Sequence, residues 1–409
     1  MCEELHVGSK SPILRLIEAW KRNETLCKIH LTMAGTMKYW KEAATLIIAA
    51  RSKTPISNYI GNKKFTFDYQ ILMLQRNAKA GFFPSAQVFP GGQIDKADFS
   101  PAWLDIFKKY GNVHKKEDFG RMVSIEGIRP SILASDHQSP VPIDVAFRIC
   151  AIRETFEECG ILLLKKARDI LSNPDTVTLS SCKAKGNADL ALWRERVRND
   201  ASSFMSLCTE VGGVPDVWSL GEWSNWLTPS DFTTRRFDTI FYITCMDELP
   251  EALEDTSEIV QTKWVTPLES LQLFSNAKTY LPPPQVYEFR RLLRFECFDQ
   301  LYQFSKSRAY DGTERYLPVR CNLEDGVVSL LPGDAYYPEH PKEETDKDCM
   351  LELNTTIDDS NKIEITNRLV FRTATVTDIL SSYTQPTGQV SPIDDHIPPI
   401  EELESNSKL

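Results

Sequence analysis

The chain contains no apolar run that approaches the roughly 20 residues a membrane-spanning helix needs; the longest, such as 43–50, are far shorter. Its first residues lack a basic segment leading into an apolar stretch and a small-residue cleavage site, so the sequence predicts no secretory leader. Ten cysteines are present, yet none forms a C-x-x-C pair or has a histidine at zinc-ligand spacing. They predict reduced thiols in an intracellular compartment. Positive charge is in the minority, 47 Lys+Arg against 57 Asp+Glu, for a net charge of −10. That field repels nucleic-acid phosphates and anionic membrane surfaces, so a phosphorylated ligand must be held by a local site. No internal repeat is visible, and the six histidines lie away from every motif described below.

The sequence does have the material for a globular core, with 42% apolar residues. Residues 1–38 read as an N-terminal extension. A main domain follows over 39–307, opening with strand-like runs at 43–51 and 67–76 that end in Lys, Asn and Gly. Four prolines mark 96–143 as an insertion, and 186–227 reads as a second, helical insertion. Between the two insertions lies a strong helix, Ile143–Cys159. Strands are expected at 237–246 and 260–265, and helices at 267–274 and 285–304. Regular structure is expected to end near Ser307. Residues 308–383 then form a C-terminal appendage, and the Pro-, Ser- and Glu-rich stretch 384–409 is expected to be disordered.

On the Ile143–Cys159 helix, Val145, Ile149, Ile152 and Phe156 fall on one stripe, while Glu154, Glu157 and Glu158 cluster opposite. Carboxylates at this spacing repel one another unless a positive charge joins them. Oxygen-only ligands favour Mg²⁺ or Mn²⁺, and Mg²⁺ commonly shares its shell with substrate phosphates. Arg153 lies beside Glu157 around the wheel, where it can lock the carboxylates, and Gly160 supplies a left-handed stop. Upstream, Val88-Phe89-Pro90-Gly91-Gly92 reads as a strand running into a glycine turn that can bring backbone N–H groups close to a ligand.

Together these two segments resemble the Nudix box, G-x5-E-x7-R-E-U-x-E-E-x-G-U with U apolar, so the chain is identified as similar to the Nudix hydrolases. Thr155 stands at an apolar position, Asp98 stands where the first Glu is expected, and Arg153 follows Gly92 by 61 positions instead of 14. The box is therefore split by 47 residues. The resemblance implies a Nudix-type α/β/α sandwich with a mixed sheet, a split box and helical insertions. It also implies Glu154, Glu157 and Glu158 as metal ligands, with Arg153 and Glu258 completing the catalytic set. Glu251, Glu254 and Asp255 are alternatives to Glu258. Gly91 and Gly92, with Arg76, Arg235 or Arg236, are the candidate substrate contacts. At most one of the two adjacent arginines is expected to face the site, because side chains diverge along a strand.

Within the family, the split box, the stretch GFFPSAQVFPGG and the final Ser407-Lys408-Leu409 look like the nucleoside diphosphate-linked moiety X motif 19 type. That type is a peroxisomal acyl-coenzyme A diphosphatase. The implied reaction is metal-dependent cleavage of coenzyme A or acyl-coenzyme A into 3′,5′-ADP and a 4′-phosphopantetheine product. The implied localisation is the peroxisome, by way of an import receptor that reads Ser407, Lys408 and Leu409. The alternatives are another dinucleotide substrate, such as NADH or ADP-ribose, or a non-catalytic binding module. The 96–143 insertion is expected to wall the substrate pocket.

Overall fold

The computed structural model describes residues 40–60, 63–80, 83–134, 137–170, 189–232, 235–254, 259–343, 349–394 and 397. Glu258, residues 1–38 and the Ser407-Lys408-Leu409 end lie outside them. Strands β1 (Lys41–Ile60), β2 (Lys63–Arg76), β3 (Gln87–Val88) and β4 (Gly91–Gln93) come first. β5 (Leu164–Lys165) and β6 (Val214–Pro215) make a separate two-stranded ribbon. β7 (Gly221–Leu227), β8 (Phe237–Met246), β9 (Ile259–Val265) and β10 (Arg315–Tyr316) complete an eight-stranded sheet. Its order is β10-β7-β8-β1-β2-β3, with β4 also on β1 and β9 also on β2. β1 runs parallel to β8 and antiparallel to β2 and β4, so the sheet is mixed.

Alternation along β1 sorts the core into two layers. Ala44, Leu46 and Ile48 join one cluster with Val145, Ile149 and Phe156 of the box helix, Ile143–Cys159. Ile47 and Ala49 join the other, with Tyr287 and Phe289 of helix Pro283–Leu292 and Phe298 and Leu301 of helix Phe298–Arg308. The result is the helix, sheet, helix sandwich expected of a Nudix fold. Among the described residues, no helix is long and apolar enough to cross a membrane. The seven described cysteines are free thiols.

Several expectations are corrected. Helices do occupy Leu190–Asn199 and Ser203–Val211, but Gly221–Leu227 is an inner strand and no part of a helical insertion. Both faces of β7 are buried, so no polar alternation marks it as a strand. In addition, a register shift between Glu222 and Ser224 lets Trp223 and Trp226 share one face despite their three-residue spacing. Regular structure does not stop at Ser307: β11 (Val319–Leu323), β12 (Gly326–Leu330), β13 (Leu351–Glu352), β14 (Asn367–Phe371) and β15 (Asp378–Ser381) form a second sheet. The segment expected to be disordered from 384 packs against the main domain over its described part. Gln389 donates to the Trp223 carbonyl, Arg290 donates to that of Ile393, and Ile397 is buried. Backbone bonding, invisible to composition, holds it there.

The 96–143 insertion packs on the box-helix side of the sheet. Trp103, Phe107, Phe119 and Ile132 all enter that core, and Phe107 meets Trp218 edge to face at 6.0 Å. Its far end is tied by charge. Arg129 donates to both oxygens of Glu222 at 2.8 and 2.7 Å and also contacts Asp144 in the first turn of the box helix. Arg148 lies 3.5 Å from Glu222, and Thr313 donates to it at 2.8 Å. Burial opposes ionisation of Glu222, but Arg129 and Arg148 outweigh it and hold the carboxyl below its ordinary value of 4.5. For Asp144 the balance reverses: burial, aided by nearby Glu222, raises it despite Arg129. Glu222 therefore stabilises the fold above its unfolded pKa, and that contribution is lost as pH falls through the folded value. Glu222→Gln should cost about 3–5 kcal/mol in urea unfolding at neutral pH, because the buried Arg148 guanidinium loses its counter-charge and the half-buried Arg129 keeps only Asp144. The deficit relative to wild type should shrink in melts taken below pH 4.5.

Candidate active site

A cavity of about 1010 Å³ opens on the face of the sheet opposite the insertion. Its floor is a row of strand residues: Gln93 of β4 sits beside Ala43 of β1, Ala43 beside Thr239 of β8, and Thr239 beside Trp226 of β7. Glu154, Glu157 and Glu158 line one end together with Gly91 and Gly92. Both glycines are required by close approach. Gly91 has φ 153°, and a Cβ there would strike the backbone of Ala44 and Thr45. A Cβ on Gly92 would overlap the Glu154 carboxylate. The turn thus brings the Gly91 N–H to 2.8 Å from Glu158 Oε2.

Behind the carboxylates, Arg153 binds several groups at once. It holds Asp98 through a two-pronged pair at 2.8 and 2.9 Å, and the same guanidinium donates to Glu154 at 2.9 Å and Glu157 at 2.5 Å. It reaches the Gln93 carbonyl as well. Asp98 and Arg153 are only 1% and 3% exposed, so the two halves of the split motif meet in the interior. Asp98 is fixed in turn by the Asp95 N–H at 2.8 Å. Burial works against the Arg153 charge, but Asp98 and Glu154 outweigh it and raise its pKa further. Thr155, polar where the motif is apolar, is buried with its hydroxyl donating to the Ala151 carbonyl at 2.7 Å, which removes the cost of burying it.

Burial pushes the Glu154 carboxyl up to about 7, with Glu157 and Asp98 adding to the effect and Arg153 opposing it. Among the described residues, no three His, Cys, Asp or Glu side chains converge as a formed metal cage. Arg153 holds an oxygen of Glu154 and of Glu157, and the turn holds one of Glu158. The donor chemistry still fits a hard divalent cation. All three side chains offer oxygen, and all three line the same cavity.

Arg76 and Arg235 also line the cavity, and the Arg76 Nε is buried without a hydrogen-bond partner. Arg236 does not, which corrects its reading as a substrate contact. Its guanidinium lies 3.8 Å over the Trp40 ring and donates to the Ser230 hydroxyl and the Glu343 carbonyl. The two adjacent arginines, just before β8, thus face different surroundings. The insertion is corrected too: no described residue of 96–143 lines the cavity. The walls come instead from helix Leu190–Asn199, the N-terminal end of helix Pro283–Leu292 and the second sheet.

Arg194 escaped the sequence reading. It donates to the carbonyls of Glu157 and Glu158 at 2.8 and 2.5 Å, satisfying the open C-terminal end of the box helix, and it also reaches the Glu254 carbonyl. An arginine on an amphipathic helix carries no local mark of such a contact. Lys41 and Arg198, further cations on the cavity wall, likewise have no motif around them.

The model of the NUDT19 Nudix domain matches residues 40–292, and that of the NUDT19 C-terminal domain matches 320–381. Acyl-coenzyme A diphosphatase NUDT19 of Xenopus laevis is 40% identical over 340 residues, spanning 80% of this chain and 88% of that protein. The protein of the same name in Gallus gallus is 40% identical over 348 residues, spanning 81% and 88%. That of Homo sapiens is 39% identical over 309 residues, spanning 73% and 81%. With both domains matched and the two halves of the box joined by Arg153, the chain belongs to the NUDT19 family of Nudix hydrolases.

Proposed function

We propose that this Nudix diphosphatase cleaves the diphosphate of coenzyme A or its acyl esters, releasing 3′,5′-ADP and the corresponding 4′-phosphopantetheine. The observation that carries the reading is one continuous cavity with three carboxylates at one end, cations along its wall and aromatic and aliphatic side chains over the rest. The names borne by relatives of about 40% identity support the choice of coenzyme A. A diphosphate needs its negative charge offset, and Lys41, Arg76, Arg198 and Arg235 are the wall residues able to do so.

Glu154, Glu157 and Glu158 would hold a Mg²⁺ or Mn²⁺ ion, which when bound offsets phosphate charge and favours attack by water. The protein's own part is positional. The Gly91 N–H fixes Glu158, Arg153 fixes Glu154 and Glu157, and Arg194 fixes the helix end that carries them. Phe89 and Phe241 add apolar surface to the cavity.

Side-by-side kcat/KM values for coenzyme A, NADH and ADP-ribose test the substrate, since specificity is a ratio of these quantities. Coenzyme A should lead, and a preference for either other compound would reject the assignment. Glu158→Gln keeps the shape but removes one ligand charge, so release of 3′,5′-ADP should fall by at least about 100-fold while the thermal melt is retained. Undiminished metal-dependent turnover in that variant would remove Glu158 from the site. Arg153→Lys replaces a planar fork by a point charge that cannot hold Asp98 on two prongs and two glutamates besides. Its kcat should fall by roughly 10- to 100-fold with KM little changed, because the carboxylates lose their setting and the pocket does not.

A further inference from the structure

The second sheet carries apolar side chains on both faces. Cys321, Val328, Leu330 and Val370 close on a small core of their own. The alternate residues Val327, Leu369 and Phe371 line the cavity. Register places Val327 opposite Phe371, and Ser329 opposite Leu369, so these side chains form a patch over the trough. A sheet with one face on its own core normally turns polar residues outward on the other. Here Leu369 and Ile379 of the second face pack on the main-domain core, and Val327, Leu369 and Phe371, beside Ser329 and Arg320, border the substrate cavity.

The floor gives the distance between this roof and the chemistry. From Gln93 the cross-strand row runs through Ala43, Thr239 and Trp226 to Tyr316 of β10. Four strand spacings amount to roughly 19 Å. The carboxylates stand at one end of that row, and Pro318, just after β10, lines the cavity at the other. The floor is held firmly at this far end. The Trp226 indole donates to buried Glu288 at 2.7 Å and stacks on Tyr316 at 4.7 Å. Arg320, the guanidinium that the second sheet contributes to the cavity, is already paired with Asp231 at 2.7 Å. A further phosphate is therefore poorly matched to this end, whereas an aliphatic chain would replace water against carbon on both sides.

We infer that the far end of the cavity, roofed by Val327, Leu369 and Phe371, binds the acyl chain of an acyl-coenzyme A and sets the preferred chain length. The inference rests on the diphosphatase reading above. It makes the C-terminal sheet a specificity element of the active site.

The test uses the full chain with Mg²⁺ or Mn²⁺ and measures kcat and KM for acetyl-, octanoyl- and lauroyl-coenzyme A. Val327→Trp places an indole in the acyl path, and each methylene denied burial is worth about fourfold in affinity. The octanoyl-to-acetyl ratio of kcat/KM should fall more than tenfold, mainly through KM. Phe371→Ala removes a ring from the roof and should raise the lauroyl-to-octanoyl ratio. A V327W protein with a retained thermal melt and wild-type ratios overturns the inference. If V327W does not fold, F371A decides, and an unchanged lauroyl-to-octanoyl ratio overturns it. A wild-type chain that cleaves NADH or ADP-ribose but no coenzyme A ester sinks the parent reading instead.

Discussion

The active end of this molecule hangs on one buried guanidinium. Arg153 joins Asp98, at the start of the insertion, to Glu154 and Glu157, from after it, and the Arg153–Asp98 pair is shielded from water. A buried charge of this kind is favourable only when every partner is in place, since taking it out of water costs several kcal/mol. The geometry of the carboxylates and the closure of the split motif are therefore one event. That explains how 47 extra residues can interrupt a catalytic motif without loosening it. Lengthening a loop adds only about 0.6 kcal/mol per doubling. The ends are pinned independently, Asp98 by Arg153 and Arg129 by Glu222 and Asp144. Between those pins the insertion contributes Trp103 and Phe107 to the core and leaves the cavity alone.

The box helix and its glycine turn were legible because their constraints are local. Carboxylate spacing on a helix, a glycine pair before it and a glycine after it are fixed by backbone geometry within a few residues. The strand-like run at 43–51, part of β1, was legible for the same reason. What resisted reading depends on partners far along the chain. β7 looked helical because its tryptophans are three residues apart, and only a bulge visible in strand pairing puts both indoles on Glu288. Arg235 and Arg236 were indistinguishable as letters, and the Trp40 ring decides between them. Arg194 could not be picked out, because its partners are backbone carbonyls on another helix.

The same limit applied to the C-terminal region. Its strands are short, acidic stretches separate them, and composition alone suggested an appendage followed by a tail. The structure places apolar residues of that region on two opposed faces, one for its own small core and one for the cavity. A binding surface of this sort is assembled from alternate positions on two strands. No window of sequence contains it.

The junction at β10 bears on how this protein can be taken apart. Arg315 and Tyr316 add an edge strand beside Asn225 and Trp226, Tyr316 caps the Trp226 ring, and Gln389 reaches back to the Trp223 carbonyl. A fragment ending where the main-domain helices end would bare both the ladder edge and the aromatic face of β7. An uncovered strand of that kind invites pairing with another molecule. The two matched segments are thus separate in sequence but not in assembly, and recombinant dissection at their boundary would yield an aggregating half instead of a minimal enzyme.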